Sequence, residues 1–574
     1  MKQPKQPANV ALWLTLLVVV LSMPALAQQT QRYWITLRDR GTHADPSKLS
    51  AEALGISDHA LWRRAKVLPA GRLIDELDLP VNQAYLDQLR ASGITIRSTS
   101  RWFNAVSAEL TPSQQSIVSS FPFVSSVGPV AVFVKREAQI STYEKPQSFS
   151  KQVSIADLNY GPSLTQLSNI KVVDVHGLGI NGTGVIVGML DDGFNNHTTH
   201  PALKNIKVIA EYDFVQRDSN TSIAPGEYSS QGGHGGSTLS VIGGFDNGKL
   251  IGVAYGASFI LAKTEIDSVE IKLEEDLWVE GLEWEERLGA EIVSSSLGYN
   301  DWYQYSDFNG LTATTTKAAR VAARKGILVV NAMGNEGNYQ SGTKNTGTMI
   351  APADADSILS VGAVWSDGAI ASFSSTGPTF DGRIKPDVVA QGVNVYVASG
   401  SSGYQSSNGT SFSTPLTAGV AALVLSAHPT WTPMQVRNAL KQTAKPLYNA
   451  TAGMTARPNN FFGWGMVDAL KAKGITFGGN NTDFVFHNSF PNPFNNSTTI
   501  VVDAPTEQEI ELAIFNLLGQ KVRTLYQGKS APGVSRYYWW NGVDEANNHV
   551  ATGIYICRLK AAGAVFSQKI VYLK

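Results

Sequence analysis

This sequence has a single cysteine, almost no net charge, and no long apolar run beyond its N-terminus. One cysteine excludes an internal disulfide, so stability has to come from core packing. Cys557 lies in the strand-like stretch GIYICRLK, where a buried, inert thiol is expected. A formal net charge of -1 provides no basic surface for a phosphate backbone, so nucleic acid is not an expected partner. The one long apolar run, Val10–Met23, follows Lys2 and Lys5 and precedes Ala25-x-Ala27. That order reads as a cleaved signal peptide over residues 1–27. The alternative is an N-terminal membrane anchor, but the run of 14 residues is short of the roughly 20 that a spanning helix needs. No later segment reads as a transmembrane anchor.

The chain has 574 residues, of which 43% are hydrophobic. At roughly 100–200 residues per domain, three or four domains are expected. Residues 28–136 alternate strand and helix patterns in the order β-α-β-β-α-β, a small α+β unit. Residues 137–160 are polar, lack periodicity and read as a linker. From 161 to 475 apolar runs such as GVIVGML, GASFILAKT, AEIVSSSLG, GILVVNAMG, SILSVGAV and VNVYVASG alternate with helical segments. This predicts an α/β domain with a parallel sheet covered by helices on both faces. Residues 476–574 carry short strand patterns with Gly, Asn and Pro turns, which predicts a small β-sandwich.

Ligands of such parallel sheets bind at the carboxyl ends of the strands, and four stretches of the middle domain stand there. VIVGMLDDGF stops on Asp191 and Asp192, and a lone Asp before glycine is ordinarily a turn residue. QGGHGGS holds His234 between glycine pairs, which leaves the ring uncrowded. His197 and His200 have the spacing of a metal half-site, but no third ligand is evident and they read as loop residues. His234 is therefore the candidate base. NAMGNEGN ends a strand pattern at Asn335, whose amide could donate to an oxyanion or simply close a turn. NGTSFSTP leads into an apolar helix, with Pro415 expected in its first turn. Ser411 at that start is either an N-cap or a nucleophile. A serine nucleophile needs a histidine to take its proton, and that histidine needs a carboxylate to orient it.

In chain order these residues are Asp191, His234, Asn335 and Ser411, and their motifs resemble those of the subtilisin-like serine proteases (subtilases). LDDG is similar to the family's strand-Asp-Ser/Thr-Gly motif and GGHGGS to its His-Gly-Thr motif. NAMGNEGN is similar to its oxyanion loop and NGTSFSTP to its Gly-Thr-Ser-x-Ala-x-Pro motif. The resemblance implies a subtilisin-like fold and an Asp191–His234–Ser411 triad with Asn335 as oxyanion donor. It also implies that Ser296, Leu297 and Gly298 of SSSLG pair with an extended substrate. No cofactor is required for that chemistry, and structural calcium is left open. The sequence departs from the family at Asp192, where Ser or Thr is usual. It departs also at Gly236-Ser237 and Phe412-Ser413. Successive residues of a strand point to opposite sides, so only one of the two acids should face His234, and the motif assigns that to Asp191. A charge at Asp192 near His234 would favour the imidazolium and raise the active pH range.

The flanking segments have family likenesses of their own. Residues 28–136 resemble a subtilase propeptide of ferredoxin-like fold, which implies a zymogen inhibited by its own propeptide and cut within 137–160. FPNPFNNSTTI, IFNLLGQKV and GIYICRL resemble the C-terminal sorting domain of type IX secretion substrates. That implies handling by outer-membrane secretion machinery and release from, or attachment to, the surface of a Gram-negative cell. The expected activity is a secreted serine endopeptidase acting on protein or peptide substrates. The rival reading is a surface-binding or adhesion protein on a catalytically weak subtilase scaffold. An esterase of the α/β-hydrolase kind would need a Gly-x-Ser-x-Gly elbow, which GTSFS is not.

Overall fold

A computed structural model describes residues 30–41, 46, 49–130, 158–266, 273–337, 347–448, 457–474, 485–486, 489, 492–495, 497–503, 507–530, 536–561 and 564–573. The signal sequence expected over 1–27 lies outside these residues, as do most of the linker 137–160 and any cleavage point before residue 158.

The chain divides into two compact units, residues 1–44 with 79–131, and residues 45–78 with 132–574. In the smaller unit, four antiparallel strands pair in the order Thr95–Ser100, Ala105–Leu110, Gln31–Leu37, Val124–Val130. Two helices, Gln83–Ala91 and Pro112–Ser120, belong with this sheet. The second begins with a capping box, Thr111 with Gln114, followed by Pro112 at its first turn. Ile35, Leu89, Val106, Leu110 and Val118 fill the core. The order of elements is the β-α-β-β-α-β order legible in the sequence, interrupted after the first strand by residues 45–78.

The larger unit contains a seven-stranded parallel sheet. Its order is Val388–Gln391, Leu359–Val364, Leu328–Ala332, Ile292–Ser295, Ile186–Asp191, Ser258–Lys263, Lys207–Asp213. Val187 and Met189 point into the main apolar core, which includes most of the helix Thr410–Ala427. Residues on the other face of the same strand meet the helix Leu273–Leu288. A side chain added at Gly188 would collide with the Glu285 carboxyl there. The expectation of a parallel sheet with helices on both faces therefore holds.

Two details differ from the sequence reading. VNVYVASG is not a strand of the parallel sheet. Val395–Ser399 forms an antiparallel hairpin with Gly403–Ser407. A buried hairpin arm and a buried sheet strand share one apolar pattern, so periodicity could not separate them. Lys207–Asp213 and Val388–Gln391, the two edge strands, were not legible as strands. The first mixes exposed and half-buried positions, and the second is only four residues long behind Pro386.

Near the C-terminus, two antiparallel sheets of three and four strands share one core built around Trp540 and Cys557. This is the expected sandwich. Cys557 is a free, fully buried thiol whose pKa burial pushes far up, as an inert side chain requires.

Candidate active site

The strand Ile186–Asp191 is central in the sheet, between Ile292–Ser295 and Ser258–Lys263. Asp191, at its carboxyl end, is fully buried. Its Oδ1 accepts from His234 Nδ1 at 2.6 Å and from the Asp192 N–H at 2.9 Å. Its Oδ2 accepts from Thr238 Oγ1 at 2.9 Å. Thr238 follows His234 by one helical turn on the helix Gly233–Gly243, so both side chains reach the same carboxylate. That i, i+4 spacing was available in the sequence, but it went unread. The close approach depends on Gly235. A Cβ there would stand 2.1 Å from the Gly193 carbonyl oxygen and 2.9 Å from Asp191 Cβ.

Asp192 also serves this helix, through its backbone. The N-cap is Gly232, at φ 75, and it has no side chain to accept from the first-turn amides. Asp192 supplies the missing acceptors. Its Oδ2 takes the N–H groups of Gly232 at 3.0 Å and His234 at 3.3 Å, and its Oδ1 takes that of Gly235 at 2.7 Å. A carboxylate at a helix N-terminus is also favoured by the helix dipole. The strand ends at Asp191, so the alternation expected to turn Asp192 away does not continue. Only Asp191 touches the imidazole, yet both acids hold the His234 helix.

These charges set the protonation of His234. Burial works against the imidazolium. The Asp191 carboxylate beside it, then its hydrogen bond, then the Asp192 charge outweigh burial, and the pKa rises to about 9. Burial, together with the neighbouring Asp191 charge, lifts the Asp192 carboxyl above the ordinary carboxylate range.

Ser411 stands at the start of the helix Thr410–Ala427, behind Gly409, which as N-cap offers no side-chain hydrogen bond. Its hydroxyl donates to the Ser296 carbonyl at 3.4 Å and is not bonded to His234 in this state. The ring of Phe412 lies 5.9 Å from that of His234, centroid to centroid. Pro415 sits in the second turn of the helix, a turn later than the sequence suggested. Proline has no N–H to give the carbonyl four residues back. That carbonyl belongs to Ser411, and it accepts instead from Ser296 Oγ at 2.8 Å. Proline in the helix therefore frees the acceptor that ties Ser411 to the end of the strand Ile292–Ser295.

Asn335 lies beyond the strand Leu328–Ala332. Its Oδ1 accepts from the Thr410 N–H at 2.9 Å and the Thr410 hydroxyl at 3.0 Å, which leaves Nδ2 as the free end of an exposed amide. Leu297 is held by Asn331 Nδ2, which donates to its carbonyl at 3.0 Å. Next to it, Gly298 has no hydrogen-bond partner on its N–H or C=O among the described residues. A Cβ on Gly298 would collide with Ile350. His197 and His200 are bonded to the carbonyls of Phe194 and Gly403, as loop residues.

Among the described residues, one set of acids and histidine is close enough to share a metal ion, Asp191 with Asp192 and His234. It does not fit calcium. Every one of its carboxylate oxygens already receives an N–H or O–H donor, and calcium takes about six to eight oxygen ligands.

The family model of the subtilase family, peptidase S8, matches residues 182–465, which carry all of these side chains. The model of the peptidase S8 propeptide domain of Bacteroidota matches residues 32–149. That of a secretion system C-terminal sorting domain matches residues 488–573. Subtilisin Savinase of Lederbergia lenta is 34% identical over 316 residues, 53% of this chain and 97% of that protein. M-protease of Shouchella clausii is 33% identical over 316 residues, covering 53% and 68%. Subtilisin DY of Bacillus licheniformis is 36% identical over 281 residues, covering 48% and 90%. The chain belongs to the subtilase family of serine endopeptidases, carries a propeptide domain, and bears the type IX sorting domain of a secreted or cell-surface protein.

Proposed function

We propose that this protease cleaves peptide bonds through Asp191, His234 and Ser411, by way of an acyl-enzyme. The reading is carried by the bond between buried Asp191 and half-buried His234 at the carboxyl edge of the sheet, beside the helix that starts at Ser411. The Asp191 bond holds Nδ1 protonated, so Nε2 is the basic nitrogen. A turn about the Ser411 Cα–Cβ bond swings its hydroxyl from the Ser296 carbonyl toward that nitrogen. Attack of Oγ on the scissile carbonyl carbon passes the proton to Nε2. The oxyanion accepts from Asn335 Nδ2 and from the Ser411 N–H, a first-turn amide without an intrahelical acceptor. The imidazolium then protonates the leaving amine. Water, deprotonated by the same nitrogen, releases the acyl group. Ser296, Leu297 and Gly298 supply the strand edge for an extended protein or peptide substrate, and the free N–H and C=O of Gly298 suit that pairing. None of these steps requires a cofactor.

The propeptide domain acts as an inhibitor until the chain is cut within 137–160, and outer-membrane secretion machinery of a Gram-negative cell recognises the C-terminal sandwich. A fluorophosphonate probe tests the nucleophile. Labelling of the processed enzyme should vanish in Ser411→Ala, with kcat/KM down by roughly four orders of magnitude or more. Labelling that survives the substitution places the nucleophile elsewhere. An unlabelled processed chain returns the reading of a binding protein on a weak scaffold.

A further inference from the structure

Residues 45–78 fall within the propeptide match yet pack with the protease body. They hold two short helices, Ala51–Leu54 and Asp58–Ala65, each capped by a serine. The second carries Arg63 and Arg64, both fully buried. The Glu286 carboxylate, also fully buried, pairs with both guanidinium groups. Arg63 donates further to the carbonyls of Glu286 at 2.9 Å, Ala290 at 2.6 Å and Lys325 at 3.1 Å. The Ser57 N–H and hydroxyl reach the carbonyls of Arg287 and Leu288. At the rim, Lys66 pairs with Glu291 at 2.9 Å.

These acceptors have a common origin. They are the last carbonyls of the helices Leu273–Leu288 and Thr314–Arg324 and the residues just beyond, groups that a helix cannot satisfy itself and that carry the negative end of its dipole. Two guanidinium forks suit such a cluster of carbonyls around a carboxylate. The cluster lies at the amino ends of the strands Ile292–Ser295 and Leu328–Ala332. The candidate active site lies at their carboxyl ends, roughly 16 Å away along the strand from Glu291 to Ser296 at about 3.3 Å per residue.

We propose that the carboxyl ends of these two helices form a docking site for a helix bearing an Arg-Arg pair, and that Arg63–Arg64 of the same chain anchors the N-terminal region there. The site leaves the catalytic groups uncovered. It rests on the processing reading above, because it acts once the chain is cut. The N-terminal fragment then stays on the protease body through this anchor until it is digested. Without it, Glu286 and the carbonyls around it lose their donors.

The test uses the full chain with Ser411→Ala and a recognition sequence for an added protease placed within residues 137–150. After the cut, the fragment should co-elute with the body in gel filtration. In Arg63→Gln/Arg64→Gln a labelled fragment should leave at least a hundredfold faster, and Arg64→Lys, which keeps the charge but not the fork, should not hold it as arginine does. If the double variant fails to melt cooperatively before the cut, Glu291→Gln decides, with exit about tenfold faster. Exit at an unaltered rate in these variants, or immediate loss of the unsubstituted fragment, overturns the proposal. The cut is made by the added protease, so failure of the unsubstituted chain to process itself counts against the processing reading alone.

Discussion

Asp191 and Asp192 are adjacent carboxylates with different duties. Asp191 touches the imidazole, and Asp192 satisfies three amides of the helix that carries it. Because both charges favour the imidazolium, His234 gives up its proton only as pH rises through about 9, and the base proposed above is available from there. We expect Asp192→Ser to keep most of the plateau rate and to move the acid limb of the kcat/KM profile down by about half to one pH unit. A hydroxyl replaces only part of the amide acceptors, so the melting temperature should also fall, by roughly 2–4 °C for about 1 kcal/mol of lost capping. An unmoved limb would mean that the Asp192 charge does not reach the ring. Asp191 and Asn335 stood out because they follow apolar strand patterns, and His234 and Ser411 because they precede apolar helix patterns; only their shared order and motifs singled them out as a set. The capping role of Asp192 was not legible, since it depends on a bare glycine N-cap that folding brings beside the strand end from forty residues away.

Among the elements, Pro415 and Ser296 form a testable couple. The carbonyl of Ser411 has lost its helical donor to proline and gained the Ser296 hydroxyl. In a Ser411→Ala background, which prevents self-digestion, Ser296→Ala should cost about 1–2 kcal/mol in denaturant melts, because the carbonyl is left without a donor. Pro415→Ala returns an N–H four residues on and should recover part of that loss. Additive effects of the two substitutions would show that they do not share the carbonyl. A second junction ties the lead-in to strand Val388–Gln391 to the helix Pro433–Thr443. Asp387, buried there, pairs with Lys385, Arg437 and Lys441. Burial opposes its charge, but the three cations hold its pKa well below the usual range. A depressed carboxyl adds stability above its unfolded pKa, near 3.9, and loses it as pH falls toward the folded value. Asp387→Asn should therefore destabilise the protein by roughly 3–5 kcal/mol at pH 7, with the difference shrinking below about pH 4. A constant difference across that range would count against the ion pairs. The buried hairpin arm Val395–Ser399 and the segment 50–78 mark where the sequence pattern misleads at this scale. An apolar arm looks the same in a hairpin or a sheet, and Glu286, the partner that Arg63 and Arg64 share, lies more than two hundred residues along the chain.

At the scale of the whole molecule, the chain is a series of parts with separate cores: the antiparallel N-terminal sheet, the parallel sheet and the C-terminal sandwich. Each was legible as a class from the spacing of its apolar residues, while the packing of residues 45–78 with the protease body was not. Against the expectation that no later segment is long and apolar enough to span a membrane, the helix Thr410–Ala427 is so by length and composition, yet 89% of that stretch is buried inside the protein, where it packs against four of the sheet strands. The residue proposed to attack the substrate thus begins the most enclosed helix of the protease. We expect the backbone of that helix to open together with the domain, not on its own. The amides of that helix beyond its first turn should be among the slowest in the chain to exchange with deuterium, and loss of activity on heating should follow the global melt of the domain without a separate, earlier inactivation step. For an enzyme that digests proteins, the helix that starts at its proposed nucleophile is thereby withheld as a substrate from neighbouring copies for as long as the domain remains folded.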